Sequence, residues 1–479
     1  MIIISLLKYS WYFYSLYIVV KNKDKVMKEE KYNKNINRLE KAIYDCGPMG
    51  VKLIQFLLMY DNFLPVAVCN KLEFALENCK QHSWDETAKM YLNNFNRDIY
   101  EDFEINENDK IVIGSGSIGQ VYKLYNKKTQ EYLAVKVRHP NIDEEIKEFV
   151  TIINIVTNML NKIWRVPYYS VIHIFKDNIL VQNDFVLEAK NTIKYSNNFT
   201  NEYNILIPKI YAYEKDFITM SYHEGVSVDK ITNKTVKYGV ANDMNFIILS
   251  SIMIYNFVHA DLHNGNWKVQ LDENNKYNLI IYDCGLITET GSLKRNQDLM
   301  IAIMLADYTT FIRILDELYT PKVNESPSIK IQKFKNIKEY INELLEDSTL
   351  LASDRTASLF KYAINNDIIR DRGNICLLLS LLMTSSIHTL GLDRNQKFFS
   401  TAPNKNDISL IFCTYIGLLT RMKKYDKLKE FLNEYINSDK LYREIFLNWL
   451  QDNLGHTDED IFYDIIAKAN GLTIKTAEN

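Results

Sequence analysis

The chain has few cysteines, prolines and glycines for its 479 residues: six, eight and 15, respectively. We attribute the low glycine and proline content to the coding bias of an AT-rich genome. The cysteines are dispersed, with no C-x-x-C pair and no nearby pair of histidines. This spacing argues against a zinc site or a disulfide framework and favours a reducing compartment. The six are Cys46, Cys69, Cys79, Cys284, Cys376 and Cys413.

The chain also lacks an excess of charge of either sign, since its formal net charge is −3. That balance predicts no general affinity for nucleic acid. Hydrophobic residues make up 47% and charged residues 24%, as in ordinary globular proteins. The length is sufficient for two to three domains.

Residues 1–20 form the most apolar window. As a helix they would be about 30 Å long, which is enough to cross a hydrocarbon core. Lys8 lies near the middle, however, and the aromatic residues around it prefer an interface. Three readings stay open: a membrane anchor with the following domain in the cytosol, a helix lying on a membrane surface, and a buried helix. A lipid or membrane surface is therefore a candidate partner.

Residues 21–104 have helical periodicity and predict a helical extension. Lys52 and Gln55 lie three residues apart there, on one helix face. Near Ile105 the period changes to alternating patterns typical of strands, and we place a first lobe at 105–225. The segment Gly114–Val121 has the pattern G-x-G-x-x-G-x-V between two strands, which favours a hairpin that covers phosphates. Its candidate ATP-binding residues are Gly114, Ser115, Gly116, Ser117, Ile118, Gly119, Gln120 and Val121.

Lys136 ends the apolar strand after this hairpin and is a candidate phosphate-binding amine. Such a lysine needs a carboxylate to hold it. Glu188, in a helical run, is the preferred partner, although Glu144, Glu145 and Glu148 lie closer in sequence. The alternative is a solvated lysine on a strand.

Residues 259–285 contain the remaining candidate catalytic and metal-binding residues. His259 begins the spacing H-x-D-x-x-x-x-N, with Asp261 and Asn266, and Asp283 begins an Asp-x-Gly after an apolar strand. Phosphoryl transfer needs a carboxylate beside the entering hydroxyl and oxygen ligands for Mg²⁺. Asp261 fits the first role, and Asn266 and Asp283 fit the second. The alternative is that these polar residues only form turns.

The rest of the chain is predicted to be largely helical. A helix over about 236–257 precedes the catalytic loop, and another spans 293–318. We place a second lobe at 226–400 and a C-terminal helical region at 401–479, with linkers at 321–328 and 398–407.

With these motifs the chain resembles the UbiB/ADCK (aarF-domain) family of atypical kinases. The resemblance implies an α+β, protein-kinase-like bilobal fold with an N-terminal helical extension and a largely helical C-terminal region. It implies that Lys52 and Gln55 lie across the mouth of the active site, and that Asp184 is the second member of an acidic pair. It also implies ATP and Mg²⁺ as cofactors, and by analogy a role in isoprenoid-lipid or quinone metabolism.

Some residues depart from the family pattern. Ile54 replaces a glycine, Cys284 a phenylalanine, and Gln182 the first member of the acidic pair, so a salt bridge to Lys52 loses a charge. The expected function is an ATP-dependent kinase or ATPase with an unidentified acceptor. Two alternatives stay open: a small-molecule kinase of the aminoglycoside or choline type, which would also use His263, and a nucleotide-binding pseudokinase.

Overall fold

The structure is a computed structural model, and it describes most of the chain up to residue 388. The described residues are 2–21, 29–58, 81–164 and 169–388 apart from gaps at 203, 264, 305–306, 320, 322–324, 348–351, 367 and 370, with six residues between 418 and 430. The predicted linker at 398–407 and nearly all of the predicted region 401–479 lie outside the described residues.

Groups of helices and groups of strands alternate up to residue 289, and the described elements after that residue are helices. The helices are α1 (Ile2–Lys21), α2 (Glu29–Asp45), α3 (Gly47–Leu58), α4 (Trp84–Phe95), α5 (Ile99–Asp102), α6 (Ile142–Trp164), α7 (Tyr169–Gln182), α8 (Phe185–Asn198), α9 (Lys234–Ser250), α10 (Leu293–Met304), α11 (Tyr308–Leu318), α12 (Pro327–Glu346), α13 (Ala352–Asn365) and α14 (Arg372–His388). The strands are β1 (Phe103–Glu104), β2 (Val112–Ser115), β3 (Gly119–Asn126), β4 (Glu131–Arg138), β5 (Ile205–Leu206), β6 (Ile210–Glu214), β7 (Phe217–Ser221), β8 (Phe257–His259), β9 (Trp267–Leu271), β10 (Tyr277–Ile281) and β11 (Ile287–Glu289).

The first lobe is built on an antiparallel sheet in the order β1-β3-β4-β7-β6, with β2 also paired to β3. Side chains alternate between the two faces of a strand. On β4, Leu133, Val135 and Val137 are therefore buried on one face, in a cluster that also contains Tyr91 of α4. Lys136 lies on the opposite face, towards α8 and the cleft. The alternation thus separates a packing face from a functional face.

Helix α8 packs against β6 and β7 on that functional face. Asp184 caps its N-terminus by accepting a hydrogen bond from the Leu187 N–H at 2.9 Å. Its buried residues recur every three to four positions and include Glu188, which is 2% exposed. A carboxylate on the buried stripe of a helix requires a charged partner.

The second lobe contains two small sheets and much of a large apolar core that extends into the first lobe and the N-terminal helices. Strand β10 pairs antiparallel with β9 and parallel with β5, and β11 pairs antiparallel with β8. The start of β9 therefore lies beside the end of β10. Asn266 directly precedes β9 and Asp283 follows β10 by two residues, so this pairing brings both metal-ligand candidates to the same edge.

The N-terminal helices pack onto the first lobe. One face of α1, with Tyr12, Leu16 and Val19, is buried, and α1 lies against α2 and α6. Tyr12 also donates a hydrogen bond to the Gly50 carbonyl of α3 at 3.4 Å. No helix among residues 2–388 as described is long and apolar enough to span a bilayer. The predicted contact of residues 1–20 with a membrane surface stays a prediction.

Several predicted boundaries differ from those observed. The helix predicted at 236–257 begins at Lys234, continues as one π-helical turn at Ser251–Tyr255, and gives way to β8 at Phe257. The helix predicted at 293–318 is divided, because Asp307 caps a new helix with hydrogen bonds from Thr309 and Thr310. The architecture as a whole is the α+β bilobal arrangement that the sequence predicts.

Candidate active site

Three elements far apart in sequence meet at Lys136. Its Nζ donates hydrogen bonds to both carboxylate oxygens of Glu188, at 2.6 and 2.8 Å, and lies 3.2 Å from Asp283 Oδ2. The lysine partner is therefore Glu188, and not the nearer glutamates on α6. Its Nζ also lies 5.0 Å from the centroid of the Phe185 ring. The strand lysine, the helix glutamate and the Asp-x-Gly aspartate form one cluster.

The cluster has strongly perturbed protonation. Burial disfavours the Lys136 ammonium, but the carboxylates of Asp283 and Glu188 outweigh burial and raise its pKa. Burial raises the pKa of Glu188 to about 7, against the opposing effect of Lys136. Burial also opposes ionisation of Asp283, yet Lys136 and the Gly285 N–H hold its pKa well below the usual range. Asp283 is thus the permanent anion that faces the cleft.

The catalytic loop is held by its own polar groups. The His259 Nδ1 accepts a hydrogen bond from the Asp261 N–H at 3.2 Å, so its Nε2 carries the proton and donates to the Asp283 carbonyl at 2.5 Å. Burial lowers the pKa of His259, which keeps it in this neutral form. Asn266 Nδ2 donates to the Asp261 carbonyl at 2.7 Å. The side-chain oxygen of Asn266 is therefore the atom that can serve as a metal ligand.

The Asp261 carboxylate is contacted from two other elements. Gln182, the last residue of α7, donates a hydrogen bond from Nε2 to Asp261 Oδ2 at 3.0 Å. Lys52 of α3 lies 3.9 Å from the same oxygen, and His263 Nε2 lies 3.8 Å from Oδ1. The glutamine that breaks the acidic pair thus contacts the candidate catalytic aspartate directly.

The other predicted residues of the N-terminal and acidic motifs are Gln55 and Asp184. Gln55 lies on α3, but its side chain is outside the described residues. Asp184 acts as the cap of α8, one helical turn before Glu188, the partner of Lys136.

The glycine-rich turn connects β2 and β3 above this cluster. Its Gly116 N–H donates to the Gly119 carbonyl at 2.9 Å, which closes the turn. A Cβ on Gly119 would lie 2.4 Å from the Val137 carbonyl oxygen, so only glycine fits there. Val121 pairs with Lys136 and shares its face of the sheet. Gln120 lies on the opposite face and binds the His82 backbone.

The other residues of the turn are Gly114, Ser115, Ser117 and Ile118. Ser115 Oγ is buried and has no hydrogen-bond partner among the described residues. Such a polar atom normally has a partner. Ser115 pairs with Gln120 across the β2–β3 ladder and therefore shares its face of the sheet, opposite Lys136, so this atom lies away from the cleft.

The donor set also fits Mg²⁺. Magnesium prefers oxygen ligands and is commonly held by one or two protein side chains together with phosphate oxygens. Asp283 and Asn266 offer such oxygens at one edge of the β9–β10 pair. Within the described part of the chain, no group of three or more His, Cys, Asp or Glu residues could hold a metal without a nucleotide.

Two residues of the site, His259 and Gln182, have contacts that the sequence did not predict. His259 carried the signal in its motif position, because it begins the H-x-D spacing. The contact of Gln182 with Asp261 carried no signal, because it joins residues 79 positions apart.

A six-stranded antiparallel sheet with a lysine–glutamate pair, above a lobe that carries H-x-D-x-x-x-x-N and Asp-x-Gly, defines a protein-kinase-like protein. Within that class, the chain belongs to the ABC1 atypical kinase-like family. The family model for the ABC1 atypical kinase-like domain matches residues 75–315, about half of the chain.

Curated relatives are about one quarter identical to this chain over the aligned regions. An ABC1 family mitochondrial protein of Saccharomyces cerevisiae is 26% identical over 61% of this chain and 50% of its own. AarF domain-containing kinase 1 of Drosophila melanogaster is 26% identical over 49% and 46%. A probable protein kinase UbiB of Histophilus somni is 25% identical over 63% and 58%. The chain thus spans about half the length of these relatives.

Solved structures give a more distant likeness. A Mycobacterium tuberculosis protein in complex with erythromycin is 16% identical, with a TM-score of 0.41 over 74% of this chain and 96% of its own. The Rio2 kinase of Chaetomium thermophilum is 11% identical, with a TM-score of 0.28 over 58% and 82%.

Proposed function

We propose that this protein binds ATP with Mg²⁺ in the cleft between its lobes and transfers the γ-phosphoryl group to an acceptor hydroxyl or to water. The observation that carries the proposal is the Lys136–Glu188–Asp283 cluster, in which one buried ammonium meets two carboxylates from distant elements. Burial of these charges is costly, and the Asp283 carboxylate is 36% exposed, so it can also meet a cation from the cleft. A site that must receive a polyanion and a divalent cation needs both charges in advance.

Each residue then has a distinct task. Lys136 binds phosphate oxygens, and Glu188 fixes its position. Asp283 and Asn266 hold Mg²⁺, which neutralises charge on the β- and γ-phosphates when bound. Asp261 orients the acceptor hydroxyl or water. The N–H groups of the glycine-rich turn cover the phosphates.

A second candidate is a nucleotide-binding scaffold without chemistry. The specific observation in its favour is that Gln182 and Lys52 both approach Asp261 Oδ2, at 3.0 and 3.9 Å. In this arrangement the aspartate is shielded from an acceptor. We favour the enzyme, because Asp261 Oδ1 has only the distant contact with His263 among the described ion pairs.

The test compares the wild type with Asp283→Asn and Asp298→Asn. Asp298 lies on α10, outside the cluster, and its carboxylate pairs with Lys294 at 3.5 Å, so its substitution is a matched control. We expect Mg²⁺-dependent ADP release from the wild type and Asp298→Asn, and at least about a hundredfold less from Asp283→Asn.

Two other outcomes discriminate between the candidates. Binding of the fluorescent nucleotide mant-ATP without ADP release, even with sugars, aminoglycosides, choline or protein acceptors present, would favour the scaffold. Measurable and equal ADP release from all three proteins would refute both assignments of the site.

A further inference from the structure

A histidine that follows β4 forms hydrogen bonds with the glycine-rich turn. His139, which directly follows β4, contacts the Gly116 carbonyl oxygen with Nε2 at 2.9 Å. Its own N–H donates to the Ile118 carbonyl at 2.8 Å. A carbonyl oxygen only accepts, so His139 Nε2 carries the proton. One residue therefore fixes two of the peptide groups of the turn.

The other nitrogen of His139 meets a second histidine. His82, which lies two residues before α4 in the region predicted as the N-terminal extension, places its Nδ1 2.9 Å from His139 Nδ1. Since His139 is protonated at Nε2, its Nδ1 accepts and the His82 Nδ1 donates. Each ring is thus neutral, and each has a defined tautomer.

The chain of hydrogen bonds continues to the far face of the sheet. His82 Nε2 lies 2.9 Å from Thr87 Oγ1, and Thr87 Oγ1 lies 3.0 Å from the Tyr122 hydroxyl. Gln120 Nε2 donates to that hydroxyl and also to the His82 carbonyl, and Gln120 Oε1 accepts from the His82 N–H. Every contact in the series has one donor and one acceptor, which leaves no place for an additional proton.

The surroundings also favour neutral rings. Burial lowers the pKa of His82 to about 4 and lowers that of His139 as well. Among the charged groups that face the two rings, Glu86 on α4 raises the pKa of His82, but by less than burial lowers it. Arg138, next to His139, directs its guanidinium to Asp143 and Asp216.

The contact with Gly116 has a consequence for the next residue. In a planar trans peptide the carbonyl and the following N–H point in opposite directions. With the Gly116 carbonyl held by His139, the Ser117 N–H is directed away from the histidine. An N–H fixed in this way can donate to a phosphate without reorganising.

We propose that His139 is a positioning residue for the nucleotide: it holds the Gly116–Ser117 peptide so that the Ser117 N–H faces phosphate, and His82 keeps it in the required tautomer. The inference rests on the proposed nucleotide site. It adds a link between the N-terminal extension and the phosphate-covering turn.

The test uses three substitutions of His139 that differ in which of its two ring hydrogen bonds they retain. His139→Gln keeps an N–H donor at the position of Nε2, His139→Asn keeps an acceptor at the position of Nδ1, and His139→Ala keeps neither. Binding of mant-ATP with Mg²⁺ is measured for the full chain at pH 8. We expect affinity within about twofold of the wild type for His139→Gln, and a loss of about tenfold for the other two.

Control variants separate positioning from stability. Asn94 lies on α4 and bonds Asp216 at 3.0 Å, and its described hydrogen bonds do not involve either histidine. Asn94→Ala should lower thermal stability with unchanged affinity. His82→Asn, whose amide can still donate to His139, should bind more tightly than His82→Leu. Equal affinity for all His139 variants, or a tenfold loss in Asn94→Ala, would overturn the proposal.

Hydrogen exchange of the free protein gives a result that does not depend on the nucleotide. Amides of residues 114–119 should exchange at least about fivefold faster in His139→Ala than in the wild type or His139→Gln. Unchanged exchange in His139→Ala would refute the positioning role. Failure of the wild type to bind mant-ATP, with the exchange result as expected, would refute the nucleotide site alone.

Discussion

The Lys136–Glu188 pair allows a stability prediction with a matched control. The side chains of Lys136 and Glu188 are 16% and 3% exposed, whereas those of the surface pair Lys194 and Glu289 are 52% and 67% exposed at a similar distance. Removal of one partner from a buried pair costs roughly 3–5 kcal/mol, because an uncompensated charge remains. Exposed pairs contribute roughly 0–1 kcal/mol.

We therefore expect Lys136→Met to lower the free energy of unfolding by about 3 kcal/mol at pH 8, and Lys194→Met by less than about 1 kcal/mol. The loss should be smaller at pH 6. Without its cation, Glu188 has a pKa even higher than about 7 and is protonated in the folded state at pH 6. A carboxyl with a raised folded-state pKa loses stability as the pH rises, so the deficit grows from pH 6 to pH 8.

Urea denaturation and thermal melting of the free protein at both pH values measure this effect. The double variant Lys136→Met, Glu188→Gln should recover about half of the loss or more, since the buried Glu188 charge is then absent and only the partly exposed Asp283 carboxylate has lost its lysine. An equal effect of the two lysine substitutions, or a deficit that grows as the pH falls, would contradict this prediction.

Three further predictions concern the turn, the aspartate and the histidines. Gly119→Ala should lower the free energy of unfolding by about 1–3 kcal/mol, because the added Cβ would lie 2.4 Å from a carbonyl oxygen. The control Gly114→Ala, whose Cβ would have no atom within 4 Å, should have the melting temperature of the wild type. Equal melting temperatures for the two variants would contradict this prediction. Gln182→Ala should reduce ADP release severalfold at unchanged mant-ATP affinity, because Asp261 loses its hydrogen bond; unaltered release would argue against it. Wild-type stability should fall as the pH drops from 6.5 towards 4, because His82 takes up a proton at a higher pH in the unfolded state than in the folded state. His82→Asn should show a shallower decline in melting temperature over this range.

Much of the site was predictable because it follows from strand periodicity and motif spacing. Alternation along β4 puts Lys136 opposite the buried valines, and the apolar run before Asp283 forms β10. The partner Glu188 was also predictable, because a buried ammonium requires a carboxylate and the α8 pattern places one on its buried stripe.

Contacts that depend on long-range packing were not predictable. Gln182 reaches Asp261 only because the end of α7 packs beside the catalytic loop, and His82 meets His139 across 57 residues. Strand β5 has two residues and pairs parallel with β10, which is too short to produce a periodic signal. The break at Asp307 depended on a single cap that competes with helix continuation.

The proposed function requires that Asn266 and Asp283 share one cation with a nucleotide held by Lys136. A crystal structure with the ATP analogue AMP-PNP and Mn²⁺ in place of Mg²⁺ tests it most directly, through the anomalous signal of manganese. We predict a manganese peak within about 2.5 Å of oxygen atoms of both Asn266 and Asp283, with Lys136 Nζ on a phosphate oxygen. Nucleotide bound with its metal elsewhere, or a peak that neither side chain contacts, would contradict the account.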